Sequence, residues 1–293
     1  MIYLLFANLS IFWGYSIKVP STSAFEPALL MPPPTTLLGA LARGLSFILR
    51  AKKFSIGEIV TLRPLSRSKK PKLVSFSVTI LDFIKYATAC PIGDFCFNQT
   101  HDMVRTEAIP YLQSKYLTQP STWFGVHAWG RTYVPNASLR ICFCIDGEKA
   151  EEKLGKDWRD FLKGSIACIM AVGAKESMVC VDYDSILLAR AEISDLRTVT
   201  TRYYLPLHCT RNFKPENCVI EEFWSHRGIN SFSFGKVSGI VERIPYLLPI
   251  RSDTRRPVKI KVELSDHASI LVPVTNNGRI SEDIVVIDRE WLK

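Results

Sequence analysis

Glutamine is nearly missing from this chain: Gln99, Gln113 and Gln119 are its three among 293 residues. Depletion of this thermolabile amide points to a heat-adapted source, although eight cysteines point the other way. No two of those cysteines form a Cys-x-x-Cys pair, which removes the zinc-ribbon and thioredoxin-like spacings. His208, Cys209 and Cys218 lie close in sequence but fit no standard zinc pattern, and they read as buried groups rather than ligands. Cys142 and Cys144, two apart on an expected strand, face one side, most simply the core. Neither Gly-x-Gly-x-x-Gly nor the P-loop signature occurs, so the two common nucleotide-binding fingerprints are absent. No metal and no cofactor are expected.

Membrane signals are also lacking. The first 17 residues are apolar, but no Lys or Arg precedes Lys18, so the basic start of a signal peptide is missing. No other segment reaches the roughly 18 apolar residues that span a bilayer. No Lys/Arg-rich amphipathic helix favours a membrane surface. The expectation is a cytoplasmic protein with no membrane partner.

Positive charge is present in excess. The net charge is +9 and the pI about 9.1, which favours a polyanion, nucleic acid first. Between Arg50 and Lys72 eight cations, among them Arg67, Lys69 and Lys70, stand against Glu58 alone, for +7 of that total. Such a stretch suits phosphate contact without reading sequence; the plainer alternative is a solvated basic turn. A smaller patch holds Arg251, Arg255, Arg256, Lys259 and Lys261 against Asp253 and Glu263, five against two, or +3.

The chain is organised around Met31-Pro-Pro-Pro-Thr-Thr-Leu-Leu-Gly-Ala-Leu-Ala-Arg-Gly44. Prolines fix an extended lead, and Thr35 or Thr36 is expected to cap a helix over about 35–50. Leu37, Leu38, Leu41, Leu45 and Ile48 form its apolar face. Gly39 and Gly44 each cost about 1 kcal/mol against Ala in a helix. They imply close approach of a backbone or a ligand, or tight helix–sheet packing alone.

A buried strand is expected over 1–17, bent near Gly14, and a second over 73–84. Strands 137–146 and 178–182 flank a helix, 157–172, with Asp157 as a plausible cap. The order strand, helix, strand, insertion, strand, helix, strand is a split βαβ repeat, so the fold class is α+β, with a ferredoxin-like (RRM-like) domain. Beyond Asp184, short β-prone runs predict a mainly β C-terminal domain, giving domains 1–184 and 185–293.

Residues from about 85 to 135 break the pattern and read as a long insertion. Trp123, Phe124, Trp129 and Tyr133 lie there beside His127 and Arg131. That mixture suits stacking on bases with phosphate contact nearby; the alternative is a small satellite core.

Gly14-Tyr15 near the end of the first strand, the loop, the Pro-Pro-Pro-Thr-Thr-Leu-Leu-Gly-Ala-Leu helix start, the long insertion and Arg131 before the third strand together resemble the CRISPR-associated Cas5 family of the repeat-associated RNA-binding superfamily. The archaeal type I-A form of the Cascade surveillance complex is the most similar. The resemblance implies a subunit that caps the 5′ handle of the CRISPR RNA (crRNA), with the insertion as a thumb. It implies docking to the backbone and large subunits for antiviral defence, and indirect contact with target DNA. Lys18, Thr35, Thr36, Gly39, Arg43, Arg67, Lys69, Lys70, His127, Trp129, Arg131 and Arg255 are the implied RNA-binding residues.

The alternative is a metal-independent endoribonuclease that processes precursor crRNA. Some relatives are similar to such enzymes through a Tyr on the opening helix and an adjacent Lys-His pair. Here residues 34–50 contain no Tyr, His or Lys, and the chain has no Lys-His dipeptide. His127 with Arg131, or His101 with Asp102, would have to serve as acid and base.

Overall fold

A computed structural model describes residues 1–17, 19, 25–53, 61–62, 72–73, 76–108, 124–227, 242–275, 278–279 and 282–293; within it, 25–26, 61–62, 72–73, 101–108, 124–129 and 279 are described by backbone alone. The fold is mixed α/β and rich in sheet.

Its centre is the strand Ile2–Ile11. Leu4, Leu5, Phe6, Ala7 and Leu9 are fully buried, so the run is apolar without alternation because both of its faces are covered. Ala137–Asp146 and Val179–Ser194 pair with it antiparallel on either side. Ile84–Ile92 lies outside the first of these and Ala268–Thr275 outside the second. Gly278–Arg279 and Val285–Asp288 both pair with Ala268–Thr275 and complete seven strands.

The two faces have different covers. Tyr3 meets Trp158 edge-on at 5.3 Å, so the odd-numbered side of the central strand faces the helices. There the opening helix, Pro34–Ala51, packs beside Trp158–Ala167. Phe6 meets Tyr203 at 6.3 Å, so the even-numbered side faces C-terminal segments. On that side Arg140 makes a two-pronged pair with Asp283, at 2.9 and 2.7 Å, and donates to Asn8 at 2.9 Å. Tyr203 donates its hydroxyl proton to the same Asp283 at 2.9 Å. The expected boundary between 184 and 185 falls inside the single strand Val179–Ser194, and C-terminal strands extend the same sheet.

Several expectations need correction. The second core strand is Ile84–Ile92, not 73–84. Lys85 and Pro91 hide it in the sequence, yet all but its last residue are buried. Within 73–84, Ser77–Ile80 forms one helical turn against the opening helix. The expected helix 157–172 ends at Ala167, a separate helix Gly147–Leu154 precedes it, and Asp157 makes no side-chain cap bond. The insertion starts after Ile92 rather than at 85. Its strands Asn98–Ala108 and Phe124–Tyr133 pair antiparallel, and Phe124–Tyr133 also takes Gly14–Tyr15 and Phe25–Glu26 as neighbours. Gly14 makes this junction: its φ is +148°, and a Cβ there would lie 2.0 Å from the Thr132 carbonyl oxygen.

Candidate nucleic-acid interface

The site begins at the start of the opening helix, where the cap differs from expectation. Pro33 is the cap residue and Pro34 the first helical one; neither Thr35 nor Thr36 caps. The Thr36 and Leu37 N–H groups donate to the Pro33 carbonyl at 3.0 and 3.2 Å. Pro33 and Pro34 carry no N–H. The first turn therefore offers an anion fewer amides than an ordinary helix start. What it offers instead is the two threonine hydroxyls, since capping does not use them.

The segment that leads into this helix is buried and irregular, so side chains must satisfy its backbone. Gln99 donates to the Ala28 carbonyl at 2.5 Å and Thr132 to that of Leu29 at 2.9 Å. The Tyr15 hydroxyl donates to Leu30, and that of Tyr204 to Pro32 at 3.0 Å. Glu221, on the strand Val219–Trp224, accepts the Leu30 N–H at 2.9 Å. Burial pushes the Glu221 carboxyl up to about 7; the Leu30 and Met31 amides and the Arg255 charge only partly offset it. Donors from Gly14–Tyr15, the inserted sheet and the C-terminal part, with the Glu221 carboxylate as acceptor, thus fix where the helix begins.

Beside this start lies a surface cavity of about 430 Å³. The helix contributes Thr35, Thr36, Gly39 and Arg43 to it. Arg43 is exposed, with its guanidinium 5.8 Å from the Phe47 ring. Ser16 and Ile17 form another wall, and Gly173 and Lys175, from the turn that follows Trp158–Ala167, a third. Gly173 has φ +96°, and a Cβ on it would lie 2.7 Å from the Ile17 side chain, so the turn reaches the wall only with glycine. Trp224 closes the remaining side, 36% exposed. Among the described residues the lining thus combines hydroxyls, two cations and one aromatic ring.

Other expected residues lie elsewhere. Lys18, Arg67, Lys69 and Lys70 lie outside the described residues. His127 and Trp129 lie on the strand Phe124–Tyr133, described there by backbone alone. Arg131 is half-buried, its guanidinium 5.3 Å from the Trp13 ring, while the Trp13 indole donates to the Glu176 carbonyl at 2.8 Å. Arg255 does not line the cavity; with φ 55° it forms a turn whose carbonyl accepts the Phe97 N–H at 3.0 Å. Gly39 is not a point of close backbone approach, because its nearest neighbour for a Cβ is the Ser77 hydroxyl at 4.0 Å.

Three histidines have described side chains, and none lines the cavity. His208 pairs with Asp288 at 2.7 Å. His226 is fully buried and donates to the Lys85 carbonyl at 3.1 Å; burial lowers its pKa to about 4. His267 lies beside His208. Among the described residues no group of three His, Cys, Asp or Glu side chains could hold a metal ion, and no helix is long and apolar enough to cross a membrane.

No family model matches the chain. CRISPR-associated protein Cas5 2 of Saccharolobus solfataricus is 31% identical over 204 residues, which cover 68% of this chain and 66% of that protein. The chain belongs to the Cas5 family. A second Cas5 relative from the same organism, CRISPR system aCascade subunit Cas5 1, is 25% identical over 263 residues, 88% of this chain and 92% of that protein. A crystal structure of a CRISPR protein from Archaeoglobus fulgidus superposes with a TM-score of 0.54 at 16% identity, over 98% of this chain and 99% of that one; the likeness is one of fold.

In this Cas5 chain the cavity also contains residues that the sequence did not single out. Lys175 sits in a turn that reads as ordinary, and Trp224 ends a β-prone run about 190 residues from the opening helix. Only the alternation along Val219–Trp224, with Ile220, Glu222 and Trp224 exposed, marks the outward face of that strand.

Proposed function

We propose that the chain is a non-catalytic crRNA-binding subunit of a type I-A Cascade complex, which caps the 5′ handle and docks against the backbone and large subunits. The observation that carries this reading is the cavity at the opening helix. It joins Thr35, Thr36, Gly39 and Arg43 with Lys175 and Trp224. Hydroxyls and cations there suit a phosphate, and the indole suits a base. The volume, about 430 Å³, suits one nucleotide-sized group. The all-antiparallel order Ile84–Ile92, Ala137–Asp146, Ile2–Ile11, Val179–Ser194, with two helical crossovers, supports a ferredoxin-like core. The strands 98–108 and 124–133 would form the stem of the thumb. The basic stretch between Arg50 and Lys72, with Lys69 and Lys70, would add phosphate contacts.

The test is incubation of the purified chain with labelled precursor crRNA and with an unrelated RNA of equal length, without metal, at two salt concentrations. Preferential binding without a cut supports the handle-capping reading. A defined cut in the repeat overturns the non-catalytic part of it, and equal binding of both RNAs overturns the handle preference.

A further inference from the structure

A second concavity, of about 380 Å³, lies at the far end of the central strand from the cavity just described. Ile2 pairs with Asp146 at this end, while Ile11 leads toward Ser16 at the other. Ten residues of strand span about 33 Å, so the two openings are separate places.

Lys85 stands at the bottom of it, only 3% exposed. Its ammonium is 3.6 Å from Asp146. That carboxylate is already shared: it lies 3.9 Å from the Lys149 ammonium and accepts the Lys149 N–H, at 3.4 Å, as the cap of Gly147–Leu154. Arg227 lines the same opening and has no carboxylate within 4 Å among the described residues. Lys153 and Lys293 are also on the rim, but Asp82 holds the first at 3.1 Å and Glu290 the second at 2.6 Å. Glu152 lines the opening without an ion pair to Lys85, Lys149 or Arg227. Lys85 and Lys149 therefore share one carboxylate, and Arg227 stands on the same opening with none within reach among the described residues. Burial, together with the neighbouring Lys149 and Arg227 charges, lowers the Lys85 pKa, and Asp146 offsets this only in part.

We infer that this cavity is a phosphate-binding site. A phosphate supplies negative charge and several acceptor oxygens where Lys85 and Lys149 have only the shared Asp146 carboxylate and Arg227 has no carboxylate partner among the described residues. Among the described residues the cavity is lined by Leu81 and charged side chains and by no aromatic ring, which suits a phosphate rather than a stacked base. A nucleic-acid backbone and a free phosphate share this chemistry.

The test is equilibrium dialysis of the full chain against labelled inorganic phosphate at constant ionic strength. The wild-type chain should bind phosphate saturably, and the double variant Lys149→Gln with Arg227→Gln, both at the surface, should bind it about tenfold more weakly. Arg43→Ala, in the other cavity, should leave this component unchanged, so failure here is distinct from failure of the handle-capping reading. Displacement of the phosphate by a short oligouridine would identify the backbone of a nucleic acid as its source, and retention would identify a free phosphate; either leaves the site standing. Absence of saturable binding, equal binding by the double variant, or tighter competition by an aspartate-rich peptide than by the oligouridine would overturn the proposal.

Discussion

Gly44 of the opening helix lies directly against the Ser165 backbone: a Cβ on Gly44 would sit 2.0 Å from the Ser165 carbonyl oxygen. This contact sets the spacing between Pro34–Ala51 and Trp158–Ala167 on the helical face of the sheet. Gly39, one turn earlier, faces the cavity instead.

The two glycines should therefore respond in opposite ways to alanine. Gly44→Ala should destabilise the protein by about 2 kcal/mol or more, because backbone on both sides must move. Gly39→Ala should keep or raise stability by up to about 1 kcal/mol from helix propensity, while weakening RNA binding by filling the cavity. Urea unfolding and RNA titration of both variants check this, and equal stability losses would count against it.

Glu221 predicts a pH dependence. Its folded pKa of about 7 lies above the ordinary carboxylate value, so the folded state holds a proton that the unfolded state has released. Its contribution to stability is thus present at acid pH and is lost as pH rises from about 4.5 to about 7. The loss is on the order of 2 kcal/mol after discounting for partial exposure. Glu221→Gln should flatten that part of the profile and gain on the wild type at pH 8 relative to pH 5. Parallel profiles of the two proteins would count against it.

The lining of the cavity predicts two separable effects on RNA. Arg43→Ala should reduce the slope of log affinity against log salt by about 0.7, the signature of one lost single-strand phosphate contact. Trp224→Ala should leave that slope alone and cost about 1–3 kcal/mol of affinity through lost stacking. Fluorescence anisotropy over a salt series distinguishes them, and an unchanged affinity for both would remove this cavity from the interface.

Lys69 and Lys70 carry a prediction from the sequence. Replacing both with Gln should weaken RNA binding by a similar factor for different handle sequences, since phosphate contacts carry no base information. A change in handle preference instead would assign them to base edges.

Asp283 ties the C-terminal segments to the sheet through Arg140 and Tyr203. Asp283→Ala should cost about 3–5 kcal/mol, because it leaves a largely buried guanidinium and a buried hydroxyl without that partner. Thermal unfolding with the double variant Asp283→Ala, Arg140→Met shows whether removing the arginine restores part of the loss.

The sequence by itself determined the elements whose signal is local. The continuous apolar run of the first strand, the leucine periodicity of the opening helix and the β-prone C-terminal runs each follow from side chains meeting one environment. The Pro-Pro-Pro-Thr-Thr start was legible too, and with it Thr35, Thr36, Gly39 and Arg43 as neighbours on one helix. Ile84–Ile92 was not, because a buried lysine and a proline interrupt its pattern and only Asp146 and the surrounding sheet accommodate Lys85.

Tertiary structure alone decided what those four residues face. Glu221, Tyr204, Tyr15, Thr132 and Gln99 come from distant parts of the chain to satisfy one buried segment, and they thereby fix the helix start. Lys175 and Trp224 reach the cavity by the same long-range packing. Which glycine touches backbone and which faces solvent space is likewise a matter of where the second helix lies. Local periodicity specifies an element and its buried face; the partner on that face is chosen by packing across the whole chain, which no window of sequence contains.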